Sequence, residues 1–227
     1  AAEPMSVAAR ERAGEALVEA LAAIHAVDVD AVGLGDLGRR EAYVERQLSR
    51  WHRQWEATKD VDLPEMEELH ARLAVSVPAQ TTATIVHGDF RLDNCLLTPE
   101  GEIAAVLDWE LCTLGDPMAD FGLLFVYWCD ATDTFRVNDD AATLLPGFPT
   151  RQHLLDHYAA LTGRDVSSIG YFVALGYWKL ACILQGVLVR FRSGAMGDSS
   201  TEGTLADGPV SQLARAGLLA LDGRFGG

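Results

Sequence analysis

The stretch Ile85–Glu110, IVHGDFRLDNCLLTPEGEIAAVLDWE, constrains this chain more than any other. Two apolar runs, Cys95-Leu96-Leu97 and Ile103-Ala104-Ala105-Val106-Leu107, flank Thr98-Pro99-Glu100-Gly101. Proline and glycine stand where a β-turn accepts them, so the pattern predicts a hairpin. A short strand at Ile85-Val86 runs into His87-Gly88-Asp89, which puts Asp89 on a tight loop. Asn94 lies five residues further along that loop. The hairpin turns the chain back, so Asp108 at its end is expected to return beside Asn94. Two carboxylates and one amide then converge on one mouth.

Magnesium takes hard oxygen ligands and uses only one or two carboxylates, completing its shell with water and substrate phosphates. Asn94 and Asp108 supply such oxygens. Asp89 stays free to accept a proton from an attacking hydroxyl. Phosphoryl transfer asks little more of a protein than positioning, a metal and a residue that orients the nucleophile. Each group also has a bland reading: an Asx-turn for Asp89, turn capping for Asn94 and Asp108.

The loop is similar to the protein-kinase catalytic loop, H-R-D-x-x-x-x-N followed by a metal-binding Asp, with Gly88 in place of the Arg. The ordered set HGDFRLDN, VLDWE and LGDPMADFG resembles the aminoglycoside phosphotransferase family of small-molecule kinases. In particular it resembles members related to the kinase-like domains fused to acyl-CoA dehydrogenases. The resemblance implies an α+β, mostly helical fold: a protein-kinase-like C-terminal lobe with a catalytic loop and a short β-hairpin. It implies ATP and Mg2+ as cofactors and a small-molecule hydroxyl as acceptor, aminoglycoside-like, macrolide-like or hydroxyacyl.

The same resemblance implies that Arg91 sets a positive charge against the transferring phosphate. A solvated arginine is the alternative. It implies that His87 packs and hydrogen-bonds beneath the site, and that Asp120 accepts hydrogen bonds from the catalytic-loop backbone. Asp116 shares the GDPMAD segment with Asp120, and helix N-capping is its simpler reading. Leu96 and Leu107 flank the hairpin where the family packs adenine, although core packing explains them equally well. Trp109 and Glu110 replace the Phe-Gly of protein kinases, a departure that fits small-molecule kinases and puts a protein-kinase-style switch in doubt.

Such kinases carry an N-terminal lobe with a five-stranded sheet and an ATP-orienting Lys. Here the residues before the catalytic loop read as helices, and the two lysines, Lys59 and Lys179, lie outside any strand pattern. The expectation is a C-terminal lobe alone, with residues 1–227 as a single domain whose activity needs its own N-terminal lobe. A catalytically silent binding module is the competing reading, and the intact triad argues against it. A metal-dependent phosphoesterase does not fit. Gly88-Asp89 and Gly115-Asp116 are each followed by an Asp after three intervening residues rather than two, and no D-x-H element accompanies them.

Composition narrows the partners. With 33 acidic against 18 basic residues the net charge is −15, which argues against nucleic acid and fits poorly with an anionic membrane surface. The four cysteines, Cys95, Cys112, Cys129 and Cys182, form no C-x-x-C pair or zinc spacing, so reduced thiols in a cytoplasmic protein are expected. The N-terminal segment reads as an amphipathic helix rather than a signal peptide.

Along the chain, periodicity predicts helices over 6–26, capped by Ser6, over 41–57, and from Pro64. His25, at the end of the first, reads as a packing histidine. Gly-Asp-Pro at 115–117 predicts a turn into the next helix. Residues 130–150 read as a long loop, and a helix over 151–162 ends at Gly163. The apolar run 169–191 is long enough for a membrane span, but Lys179, Gln185 and Arg190 interrupt it, so a buried central helix is expected. Residues 193–208 read as flexible, and 209–222 as a last helix.

Overall fold

Helix α1 (Val7–His25) starts where the Ser6 hydroxyl accepts a hydrogen bond from the Ala9 N–H at 3.1 Å. The computed structural model describes residues 5–193 and 208–224; most of the segment expected to be flexible lies outside them. Helix α2 (Tyr43–Thr58) follows a glycine-containing connection and turns Trp51 and Trp55 inward. Its first N–H is capped from a distance, by the Gln80 side-chain oxygen at 3.0 Å. Helix α3 (Pro64–Val75) has proline in its first turn, where no N–H is missed, and buries Met66, Leu69 and Leu73.

Four short strands follow. β1 (Thr84–Val86) pairs antiparallel with β4 (Thr113–Gly115), and β2 (Cys95–Leu97) with β3 (Ile103–Val106). The β2–β3 hairpin has the predicted turn: Gly101 N–H donates to the Thr98 carbonyl at 3.0 Å, with Gly101 at φ 94°. Any side chain at Gly101 would strike the Ala9 carbonyl, so the turn is seated directly on α1. Arg12 of α1 reinforces this seat by reaching Glu102 at 2.8 Å. Strand β4 lies in a segment that the sequence left without a strand; three residues carry too little alternation to announce one.

Helix α4 (Met118–Tyr127) begins after Gly-Asp-Pro, and the Asp116 carboxylate caps it by accepting from the Met118 N–H at 2.9 Å. The segment before α5 (Arg151–Thr162) is pinned. Arg151 grips Asp133 with two bonds of 2.7 Å, and the Trp128 indole donates to the Pro149 carbonyl at 3.0 Å. Gly163, at φ 65°, ends α5 in the left-handed conformation that glycine takes without strain. The 24-residue helix α6 (Ile169–Arg192) packs against α2, α3, α4 and α7 (Gly208–Leu221) and is the central helix of the fold. Trp178, Phe172, Phe121 and Phe125 fill the space around it. Gly122 of α4 lets the Phe172 backbone approach closely enough that no β-carbon would fit between them. The strand pairs lie against α1 and α2 and carry the Ile85–Glu110 stretch.

Candidate active site

The loop leaving β1 is held from below. Gly88 takes φ 85°, which turns the chain sharply between His87 and Asp89. The buried Asp120 carboxylate, from the first turn of α4, accepts from the His87 N–H at 2.7 Å and from the Gly88 N–H at 2.8 Å. Beneath it, His25 places Nε2 at 3.4 Å from the same carboxylate and Nδ1 at 2.7 Å from the Tyr158 hydroxyl. Burial pushes the Tyr158 phenol above its ordinary pKa, so it stays a hydroxyl able to donate.

His87 is fully buried and ties loop to hairpin. Its Nε2 lies 2.8 Å from the Leu107 carbonyl, which only accepts, while its Nδ1 accepts from the Asp89 N–H at 3.2 Å. The proton therefore sits on Nε2. The Leu107 N–H in turn donates to the Asn94 carbonyl at 2.8 Å. Through these bonds the backbone at the end of the hairpin is stitched to both ends of the loop, which brings Asp108 next to Asn94.

Asn94 Nδ2 donates to the Asp89 carbonyl at 2.8 Å and to Asp89 Oδ2 at 2.9 Å. Its Oδ1 makes no hydrogen bond among the described residues. Asp108 is exposed, adopts φ 65° and ψ 55°, and its carboxylate has no ion-pair or hydrogen-bond partner among the described residues. Two hard oxygen donors therefore stand unspent at an open mouth, one neutral and one charged, and they suit magnesium. Among the described residues no three His, Cys, Asp or Glu side chains gather as a metal set. Such a site needs phosphate and water oxygens to complete its shell, as a metal carried with a nucleotide has.

Arg91 lies 3.6 Å from Asp89 Oδ2 and 3.4 Å from Asp93, with its guanidinium 4.6 Å from the centre of the Tyr127 ring. It is thus neither freely solvated nor aimed into the core. Leu96 and Leu107 are 51% and 42% exposed, so core packing does not account for them. Trp109 and Leu111, in the same stretch, are exposed as well. Asp116 is buried and engaged in capping α4, and burial raises its pKa. Cys95, beside the loop, is a buried thiol pushed up to about 12, which makes it inert as a nucleophile.

The model of the APH phosphotransferase enzyme family matches residues 1–154. The chain belongs to this family. Mouse acyl-CoA dehydrogenase family member 10 is 35% identical over 197 residues, covering 85% of this APH-family chain and only 18% of the mouse protein. A crystal structure of a candidate aminoglycoside phosphotransferase from Ralstonia eutropha superposes with a TM-score of 0.80 at 33% identity, covering 96% of this chain and 67% of that one. An amicoumacin kinase solved with AMP-PNP and Ca2+ shares the fold at 15% identity, with a TM-score of 0.57 over 96% of this chain and 61% of its own.

Two residues of the APH-family site escaped the sequence reading. His25 looked like a packing histidine but lies under Asp120. Lys179, read as a lysine outside any strand pattern and as a break in an apolar run, donates from α6 to the Gly88 carbonyl at 2.6 Å. The partners of both are distant along the chain. A buried charge in the middle of an apolar helix was the one signal available for Lys179.

Proposed function

We propose that the full-length protein is an ATP- and Mg2+-dependent phosphotransferase that moves the γ-phosphate to a hydroxyl of a small molecule. One observation carries the reading: Asn94 is bonded through Nδ2 to Asp89 while its Oδ1 stays unspent, and the exposed Asp108 directly follows Leu107, whose N–H meets the Asn94 carbonyl. Asp89 accepts the proton of the attacking hydroxyl, and Asn94 fixes the direction of that carboxylate. Asp120, His25 and His87 hold the loop so that little reorganisation is needed at the moment of transfer. Asn94 and Asp108 would hold the metal. When bound, magnesium supplies charge neutralisation on the phosphate oxygens. Arg91 adds a positive charge within reach of Asp89.

The exposed apolar side chains of Leu96, Leu107, Trp109 and Leu111 suit an adenine ring or the closing face of a nucleotide-binding lobe. The amicoumacin kinase of the same fold, solved with AMP-PNP and Ca2+, supports nucleotide and divalent metal as cofactors. A cavity of about 370 Å3 lies between α2, α6 and the loops, lined by Trp51, Gly88, Glu110, Phe172 and Lys179. It adjoins Gly88, next to the base, and offers mixed polar and apolar walls for the acceptor. The acceptor classes to test are aminoglycoside-like, macrolide-like and hydroxyacyl.

ADP release by the full-length protein with Mg·ATP, screened against an aminoglycoside, a macrolide and a hydroxyacyl thioester, tests the proposal. One acceptor should stimulate release, and Asp89→Ala should lower that rate by about 10²–10⁴-fold without a change in melting temperature. Turnover retained in Asp89→Ala would remove Asp89 from its role.

A further inference from the structure

Lys179 is one of two lysines in a chain with 16 arginines. It stands in the middle of α6, with Tyr177-Trp178 before it and Leu180-Ala181-Cys182 after. Its Nζ lies 5.8 Å from the centre of the Trp51 ring and donates to the Gly88 carbonyl at 2.6 Å. Among the described residues it forms no ion pair. Burial pulls its pKa down, and the carboxylates of Asp89 and Asp120 oppose that pull. An ammonium half out of water without a paired carboxylate is expensive, and an apolar side chain of similar length would fill this wall without that cost.

What the charge secures is the Gly88–Asp89 peptide. Asp120 of α4 accepts from the N–H groups of His87 and Gly88, and Lys179 of α6 donates to the carbonyl of Gly88. Gly88, at φ 85°, is the flexible point of the loop, and it is gripped on both sides by different helices. The Gly88 carbonyl shares its peptide plane with the Asp89 N–H, which meets His87 Nδ1 at 3.2 Å. Fixing that plane leaves Asp89 only its own torsions, and Asn94 restrains those.

We infer that Lys179 is a positioning residue for the catalytic base: its ammonium fixes the Gly88–Asp89 peptide and so the line along which the Asp89 carboxylate meets the acceptor hydroxyl. The inference rests on the reading of Asp89 as the base.

The test compares Lys179→Met, Lys179→Arg and Lys179→Ala in the full-length protein. Melting temperature, amide hydrogen exchange at 87–89, and kcat and KM for ADP release from Mg·ATP with water as the acceptor are measured for each. Lys179→Met should leave the melting temperature little changed, because loss of a costly charge offsets the Gly88 carbonyl left without its donor. Its exchange should quicken at 87–89 only, and kcat should fall about tenfold or more with KM for ATP little changed. Lys179→Arg should recover part of both losses. Lys179→Ala should recover both with added methylammonium, because the vacated space opens onto the 370 Å3 cavity. Exchange that is unchanged in Lys179→Met, or quickened along the whole of α6, would overturn the inference. If Lys179→Met does not fold, Lys179→Ala with and without methylammonium decides in the same way, with amine-insensitive exchange as the contrary result. If no form releases ADP, the kinase reading fails separately, and exchange at 87–89 still decides this one.

Discussion

Asp108 occupies the left-handed region at φ 65°, where a side chain other than glycine costs about 1–2 kcal/mol. Its backbone is held there by the bonds that flank it, from Leu107 N–H to Asn94 and from His87 to the Leu107 carbonyl. The exposed carboxylate is thus set by the backbone around it rather than by packing. Asp120 is the opposite case, a buried carboxylate whose value is entirely in what it holds. Asp120→Ala would leave the His87 and Gly88 N–H groups buried without acceptors, each worth about 1–3 kcal/mol. Chemical denaturation should therefore show a loss of several kcal/mol, about 2–5, in Asp120→Ala. Asp89→Ala, which gives up one side-chain bond from Asn94 at a partly exposed position, should lose far less. At this scale the sequence was informative wherever a motif fixed spacing, as for Asp89, Asn94 and Asp108. It was silent for His25 and Lys179, because a single polar residue in a helix names no partner 91 or 95 positions away.

Between the elements, the α2–α3–α6 junction has a pH-sensitive seam. His52 and His70 stack with centroids 3.9 Å apart and planes 3° apart, and His70 lies 5.2 Å from the Trp178 ring. Burial and the neighbouring His52 lower the His70 pKa, while Glu67 and Glu56 act weakly the other way. The folded state therefore binds fewer protons than the unfolded chain once pH drops below the ordinary histidine value of about 6.5. Stability should be full above that pH and fall as pH drops through it. Melting temperatures between pH 7.5 and 5 should show this loss, and His70→Gln should flatten the profile over that window. At the α4–α6 crossing, Gly122→Ala would force a β-carbon into the Phe172 backbone and should cost about 1–3 kcal/mol by the same denaturation measurement. Helices were readable because their apolar stripes span several turns and Ser6, Pro64 and Gly163 punctuate their ends. Strand β4 was not, since its pairing with β1 is a long-range choice that three residues do not encode locally.

For the whole molecule, helices packed around α6 carry two short strand pairs; the loops of those strands bring Asp89, Asn94 and Asp108, and the helices supply Asp120, His25 and Lys179 beneath them. The run that by length and apolarity alone could cross a membrane is instead the helix on which this fold is assembled, and its one lysine reaches the catalytic loop. The chain spans 67% of the Ralstonia structure and 18% of the mouse relative, so the nucleotide-binding surface and the acceptor belong to experiments on the full-length protein. The proposed transfer depends most on Asp108 and Asn94 jointly holding a metal beside Asp89. The direct measurement is acceptor-stimulated ADP release by full-length protein as a function of Mg2+, for wild type and Asp108→Asn. The expected result is Mg2+-dependent release in wild type and a fall of about 10²-fold or more in Asp108→Asn. Equal rates with the same Mg2+ dependence in both proteins would contradict it.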